Sequence, residues 1–101
     1  MFIYNITMKV DPAIVNEWLQ WQKEEHIPDI MATGCFSAHR FFRLLDVDDS
    51  DGPTYVIQYE ARDREDYERY IGQFAQQMRE KAHARWQQRF VAFRTNMESV
   101  N

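Results

Sequence analysis

Residues 2–12 read Phe2-Ile3-Tyr4-Asn5-Ile6-Thr7-Met8-Lys9-Val10-Asp11-Pro12, and the hydrophobic period changes within that stretch. Phe2, Tyr4, Ile6, Met8 and Val10 alternate with Ile3, Asn5, Thr7 and Lys9, which predicts a strand with one wholly apolar face. Asp11 then offers a carboxylate to the free amides of a helix start, and Pro12 at a first helical position costs no hydrogen bond. A helix is expected next, with Ile14, Val15, Trp18, Leu19 and Gln22 on one side. Pro28 disfavours helical geometry at Ile27, so this helix is expected to break or kink near His26, resume to Met31 and stop at Gly34.

Residues 35–45 read as a second strand, with Phe36, Ala38, Phe42 and Leu44 on one face and Ser37, His39, Phe41 and Arg43 on the other. Asp46 to Gly52 holds four Asp, one Ser and one Gly, the composition of a solvated hairpin loop. Thr54 to Ala61 supplies the partner strand, with Tyr55, Ile57 and Tyr59 alternating against Val56, Gln58 and Glu60. Asp63 and Asp66 open a second helix along the stripe Tyr67, Tyr70, Ile71, Phe74, Met78, Ala82 and Trp86, with a bend expected at Gly72. A last strand over Phe90 to Glu98 sets Val91, Phe93, Thr95 and Met97 against Ala92, Arg94 and Asn96. The order predicts a single α+β domain over residues 1–101, a ferredoxin-like βαββαβ with a four-stranded antiparallel sheet and two helices on one face.

Composition narrows the function classes. The chain has 101 residues and a net charge of −4, which disfavours a phosphate backbone, so no nucleic acid partner is expected. A single Cys35 makes no internal disulfide and fits a reducing compartment. No apolar run approaches membrane-spanning length, and Met1-Phe2-Ile3-Tyr4-Asn5 lacks the basic flank of a signal peptide. No membrane partner and a cytoplasmic location are the expectation.

Helices cover one face of such a sheet, and the more apolar set of each strand is expected beneath them, including Phe42 and Leu44 from the second strand and Val91, Phe93 and Met97 from the fourth. The open face would then carry Ile3, Asn5, Thr7, Ser37, His39, Phe41, Arg43, Val56, Gln58, Glu60, Ala92, Arg94 and Asn96. Aliphatic and aromatic groups interleaved with Asn, His, Gln and Arg suit a surface covered by a second copy of the chain. A homodimer through the open sheet face is therefore expected, two sheets closing a dimeric α+β barrel.

Two groups of side chains are candidates for chemistry. His26 lies at the expected helix break beside Glu24 and Glu25, where an imidazole can act as a general base; the plainer alternative is a protonated His stabilised by a helix C-terminus. His39, Asn5, Gln58 and Arg94, one from each strand, are expected to converge on the open face as a ligand-binding cluster, with Arg94 as charged anchor and His39 as a second candidate base. The plainer alternative is a polar network that fixes strand register. Glu80 and His83 have the Glu-x-x-His spacing of di-iron bundles, but no second copy exists, so no metal and no cofactor are expected. Lys81, Arg85 and Arg89 recur every four residues as a basic stripe.

Several segments together resemble a known family: Met1-Phe2-Ile3-Tyr4-Asn5-Ile6-Thr7, Trp18 and Trp21 followed by Glu25-His26-Ile27-Pro28, Thr33-Gly34 with Phe36, Tyr55-Val56-Ile57-Gln58-Tyr59, and Phe90-Val91-Ala92-Phe93-Arg94-Thr95. They are similar to a family of short bacterial proteins catalogued as a domain of unknown function. That family is similar in architecture to the dimeric α+β barrel proteins, among them cofactor-free monooxygenases, haem-degrading enzymes and isomerases. The resemblance implies the fold and the dimer, and no particular activity. The leading expectation is a homodimeric barrel protein that binds a compact, partly apolar small molecule or acts as a structural or regulatory module. The alternative is a cofactor-independent monooxygenase or isomerase with His26 or His39 as base and Arg94 as anchor. An enclosed pocket bringing His26 or His39 to Arg94 or Gln58 would speak for the enzyme.

Overall fold

A computed structural model describes residues 1–100; Asn101, at the end of the expected domain, lies outside the described residues. Strands β1 (Phe2–Val10), β2 (Ala38–Arg43), β3 (Thr54–Ala61) and β4 (Phe90–Glu98) form one sheet in the order β2-β3-β1-β4. All three strand pairings are antiparallel. Helices α1 (Val15–Trp21) and α2 (Ile27–Met31) connect β1 to β2, and α3 (Arg64–Gln73) and α4 (Ala75–Trp86) connect β3 to β4. Both connections pack on one face of the sheet, and their buried residues join those of β1 and β3 in one core.

The local signals act as their chemistry predicts. The Asp11 carboxylate accepts from the Ala13 amide at 2.9 Å, with Pro12 opening a short 3₁₀ turn. Asp63 accepts from the Asp66 amide at 3.0 Å and caps α3. Gly52, at φ +130°, lies so close to β1 that a Cβ there would run into the Val10 carbonyl. That contact fixes the end of the acidic loop against the first strand.

Pro28 does not break its helix. It has no N–H to give the Glu24 carbonyl, and the chain widens instead into a π-helical turn over Gln22–His26, in which the Ile27 amide donates to the Gln22 carbonyl. The helix then runs on through α2 and ends near Gly34, at φ +75°. The second helix is interrupted at Phe74, φ −128°, two residues beyond the bend expected at Gly72.

Strand register corrects two face assignments. Tyr55, Ile57 and Tyr59 are buried under the helices and sit opposite Arg43, Phe41 and His39, so these β2 residues share the covered face. Phe41 packs against Trp18 and Tyr55 with ring centroids 6.0 and 5.9 Å apart, while Phe42 points to the open side. In β4, Phe90, Ala92, Arg94 and Asn96 pair with Val10, Met8, Ile6 and Tyr4 and lie on the covered side. Val91, Phe93 and Met97 face outward, 54%, 65% and 40% exposed. The expectation that the more apolar set lies inside fails here because the open face is itself apolar.

Beneath the helices the core is aromatic. Trp18 and Tyr59 are fully buried, and Tyr4, Phe36, Tyr59 and Tyr70 form a cluster with centroids 5.0 to 6.4 Å apart. Burying side chains of this size contributes about 1.5–3 kcal/mol each by area. Cys35, at the start of the approach to β2, is 1% exposed. No helix among the described residues is long and apolar enough to cross a membrane.

Candidate functional site

The π turn determines what faces the sheet. Gln22 and His26, four residues apart in the widened turn, both reach a cavity of about 40 Å³ between the helices and β1, β3 and β4. That volume is room for about two or three waters. Tyr4, Tyr59, Tyr70, Arg79 and Arg94 contribute the remaining polar lining, and Met8, Ile30, Ile57 and Met78 are among the apolar lining residues.

Two of these polar groups lack partners. Gln22 is 2% exposed; its amide nitrogen meets only the Met8 sulfur at 3.9 Å, and Oε1 has no hydrogen-bond partner. The Tyr59 hydroxyl, in a residue with no exposed surface, is likewise unpaired. Each buried oxygen left this way costs about 1–3 kcal/mol. Arg79 Nη2 donates to the Tyr4 hydroxyl at 3.3 Å at the rim.

His26 stacks on Trp21, centroids 4.4 Å apart and planes 17° from parallel. Burial, with help from Lys81 and Arg94 and against the opposing charge of Asp29, lowers its pKa to about 4. The imidazole is neutral at pH 7, and the helix continues past it to Met31, so the alternative of a protonated His at a helix C-terminus does not hold. Burial also raises the phenols of Tyr59 and Tyr70, reinforced for each by neighbouring tyrosines. Chemically the cavity offers a neutral proton acceptor, three phenols, one amide oxygen and two guanidinium groups.

The expected four-residue cluster is split by the sheet. Asn5 and Gln58 pair across β1 and β3 on the open face, where Asn5 donates to Thr95 Oγ1 at 3.2 Å and to Thr7 Oγ1 at 3.4 Å. For Asn5 this is the register network given above as the plainer alternative. Arg94 and His39 lie on the covered face but apart: Arg94 lines the cavity with His26, whereas His39 lines a shallow surface groove with Lys23, Ile27, Pro28 and Phe41. The geometry therefore joins His26 to Arg94 and separates both from His39 and Gln58.

Sequence reasoning missed Gln22, Tyr59 and Arg79. The one available signal was Gln22 itself, a polar residue on an otherwise apolar helical stripe. The basic stripe is a clasp: Lys81, Arg85 and Arg89 pair with Asp29, Glu17 and Asp11 at 3.7, 3.8 and 3.2 Å. Glu80 accepts from Gln76 at 3.2 Å, and no group of three or more His, Cys, Asp or Glu among the described residues is arranged to hold a metal.

A four-stranded antiparallel sheet in the order β2-β3-β1-β4, covered on one face by two helical connections, defines a ferredoxin-like α+β protein. Two solved structures share this fold with the chain. One, described as a dimeric ferredoxin-like protein from an uncultured marine organism, matches with a TM-score of 0.69 at 11% identity, covering 99% of this chain and 95% of that one. The other, described as an antibiotic biosynthesis monooxygenase, matches with a TM-score of 0.68 at 18% identity over 100% of both chains. At such identities the likeness is one of fold. The chain itself belongs to the family described as Domain of unknown function (DUF4286), matched over residues 1–100. Among curated proteins, none matches the sequence.

Proposed function

We propose that the protein is a homodimer of single-domain protomers, residues 1–101, that pair through their open sheet faces, and that each protomer binds a compact, partly apolar small molecule in the cavity beneath its helices. The observation that carries the binding reading is the pair of unpartnered oxygens, Gln22 Oε1 and the Tyr59 hydroxyl, in buried side chains lining one small cavity. Natural cores rarely leave two such groups in one cavity without a partner to meet them. Pairing is supported by the outward-facing Phe42, Val91, Phe93 and Met97, and one similar structure is described as dimeric. Two apolar sheet faces meeting would bury what each protomer leaves in water. The single buried thiol fits a cytoplasmic location.

Light scattering coupled to size exclusion tests the pairing: the expected mass is about 24 kDa, twice the 12.2 kDa chain, in a closed two-fold dimer. Phe93→Lys should reduce it to one chain, and a wild-type protein that is monomeric at micromolar concentration overturns the pairing. Binding is tested separately by NMR titration with isopropanol, following the Gln22 side-chain amide. A saturable shift that Tyr59→Phe weakens is the expected result, and no saturable shift removes the binding reading while leaving the dimer untouched.

A further inference from the structure

Among the described residues, the charged side chains that line the cavity are both arginines. The chain has nine arginines, Arg40, Arg43, Arg62, Arg64, Arg69, Arg79, Arg85, Arg89 and Arg94. Seven of them pair with a carboxylate. The two that hold no carboxylate among the described residues, Arg79 on α4 and Arg94 on β4, line the same cavity. No Asp or Glu shares that lining, in a chain with more acidic than basic residues overall. A guanidinium has five N–H donors, and Arg79 spends one on the Tyr4 hydroxyl.

The interior end of the cavity has different needs. Gln22 Oε1 is an acceptor and is satisfied by a group that donates, a hydroxyl or an N–H of a ligand or a water. The Tyr59 hydroxyl can donate or accept. His26 adds no positive charge at neutral pH, so it neither competes with the arginines nor repels a donor. About 40 Å³ of space limits the inserted part to a few heavy atoms, since an apolar cavity of about 150 Å³ is what takes a benzene ring.

We infer that the cavity takes a small hydroxycarboxylate, its carboxylate held at the rim by Arg79 and Arg94 and its hydroxyl donating to Gln22 Oε1 beside the Tyr59 hydroxyl. This rests on the reading of the cavity as a ligand site and adds the ligand's charge and the polarity of its two ends. Both arginines are exposed at the rim, so a carboxylate there forms forked, charge-assisted hydrogen bonds without a fully buried ion pair. Opposite charge on an accessible rim also makes the attraction sensitive to salt.

The test compares glycolate with glycolamide, its neutral counterpart of the same size, by NMR titration of the Gln22 side-chain amide. Glycolate is expected to bind at least tenfold tighter than glycolamide, and its advantage should shrink as salt is raised. Arg79→Gln and Arg94→Gln should each weaken glycolate at least fivefold and glycolamide by a smaller factor, with far-UV circular dichroism confirming that both variants fold. His39→Gln, outside the cavity, should change neither. Equal affinities for the two probes, or glycolate binding indifferent to both arginine substitutions, overturn the inference and leave the cavity reading in place. Failure of glycolate, glycolamide and isopropanol alike to move the Gln22 signal overturns both.

Discussion

The two faces of the sheet invite the same first description and turn out to be different surfaces. Under the helices lie Phe2, Tyr4, Met8, Tyr55, Ile57 and Tyr59, each less than a tenth exposed. On the other side Phe42, Val91, Phe93 and Met97 stand 40% to 65% exposed. By residue type the second set looks as internal as the first. What separates them is which face the helical connections cover, and in β4 the covered side is the more polar one, with Arg94 and Asn96. Apolar character alone does not say which of the two faces the helices cover.

Substitution on each face gives the largest contrast. Trp18→Ala removes a fully buried indole and should cost about 3–5 kcal/mol in urea denaturation, with the slope of the transition unchanged. Phe93→Ala, measured in dilute protein, should stay within about 0.5 kcal/mol of wild type. A comparable loss at Phe93 in the monomer would erase the distinction between the faces.

Acid should weaken the covered face specifically. His26 has a pKa of about 4 in the folded protein against 6.5 in a free side chain, so between those values the unfolded chain binds more protons. The stability contributed by keeping His26 neutral is complete above pH 6.5 and is lost as pH falls toward 4, up to about 3 kcal/mol in all. Denaturation midpoints at pH 7 and pH 4.5 should diverge more for wild type than for His26→Gln. Parallel behaviour of the two proteins would mean that the imidazole is solvated.

The smallest effect concerns the polar groups on the covered side. Tyr59→Phe deletes a buried hydroxyl without a partner and should raise the denaturation midpoint, by about 1 kcal/mol of stability. A lowered midpoint would show that the hydroxyl has a partner in solution. Stability gained together with weaker ligand binding would be the pattern of a site maintained against the interest of the fold.

Most of the architecture was legible in the chain. The alternation in residues 2–10, 54–61 and 90–98 predicts β1, β3 and β4 with the boundaries observed, and Asp11-Pro12 and Asp63 start the helices as capping chemistry requires. The faces of β2 and β4 were not legible. Each carries two phenylalanines an odd number of residues apart, Phe41 and Phe42 in β2 and Phe90 and Phe93 in β4, and only pairing with β3 and β1 decides which one turns inward. The site was less legible still. His26 and Arg94 could be named as residues, but their meeting depends on the register of β4 and on the π turn that Pro28 provokes. Arg79 is one of several charged residues on α4, and only the fold distinguishes it.

Cys35 gives the chain a further property. It is the only thiol, it is 1% exposed, and it belongs to the same core as Ile30 and Tyr70, which line the cavity. A thiol reagent can therefore modify the protein only in molecules whose core has opened, and the rate of that modification measures how often opening occurs. The protein carries its own clock for the exposure of its interior, readable without an added label and in the presence of any ligand that holds the helices to the sheet.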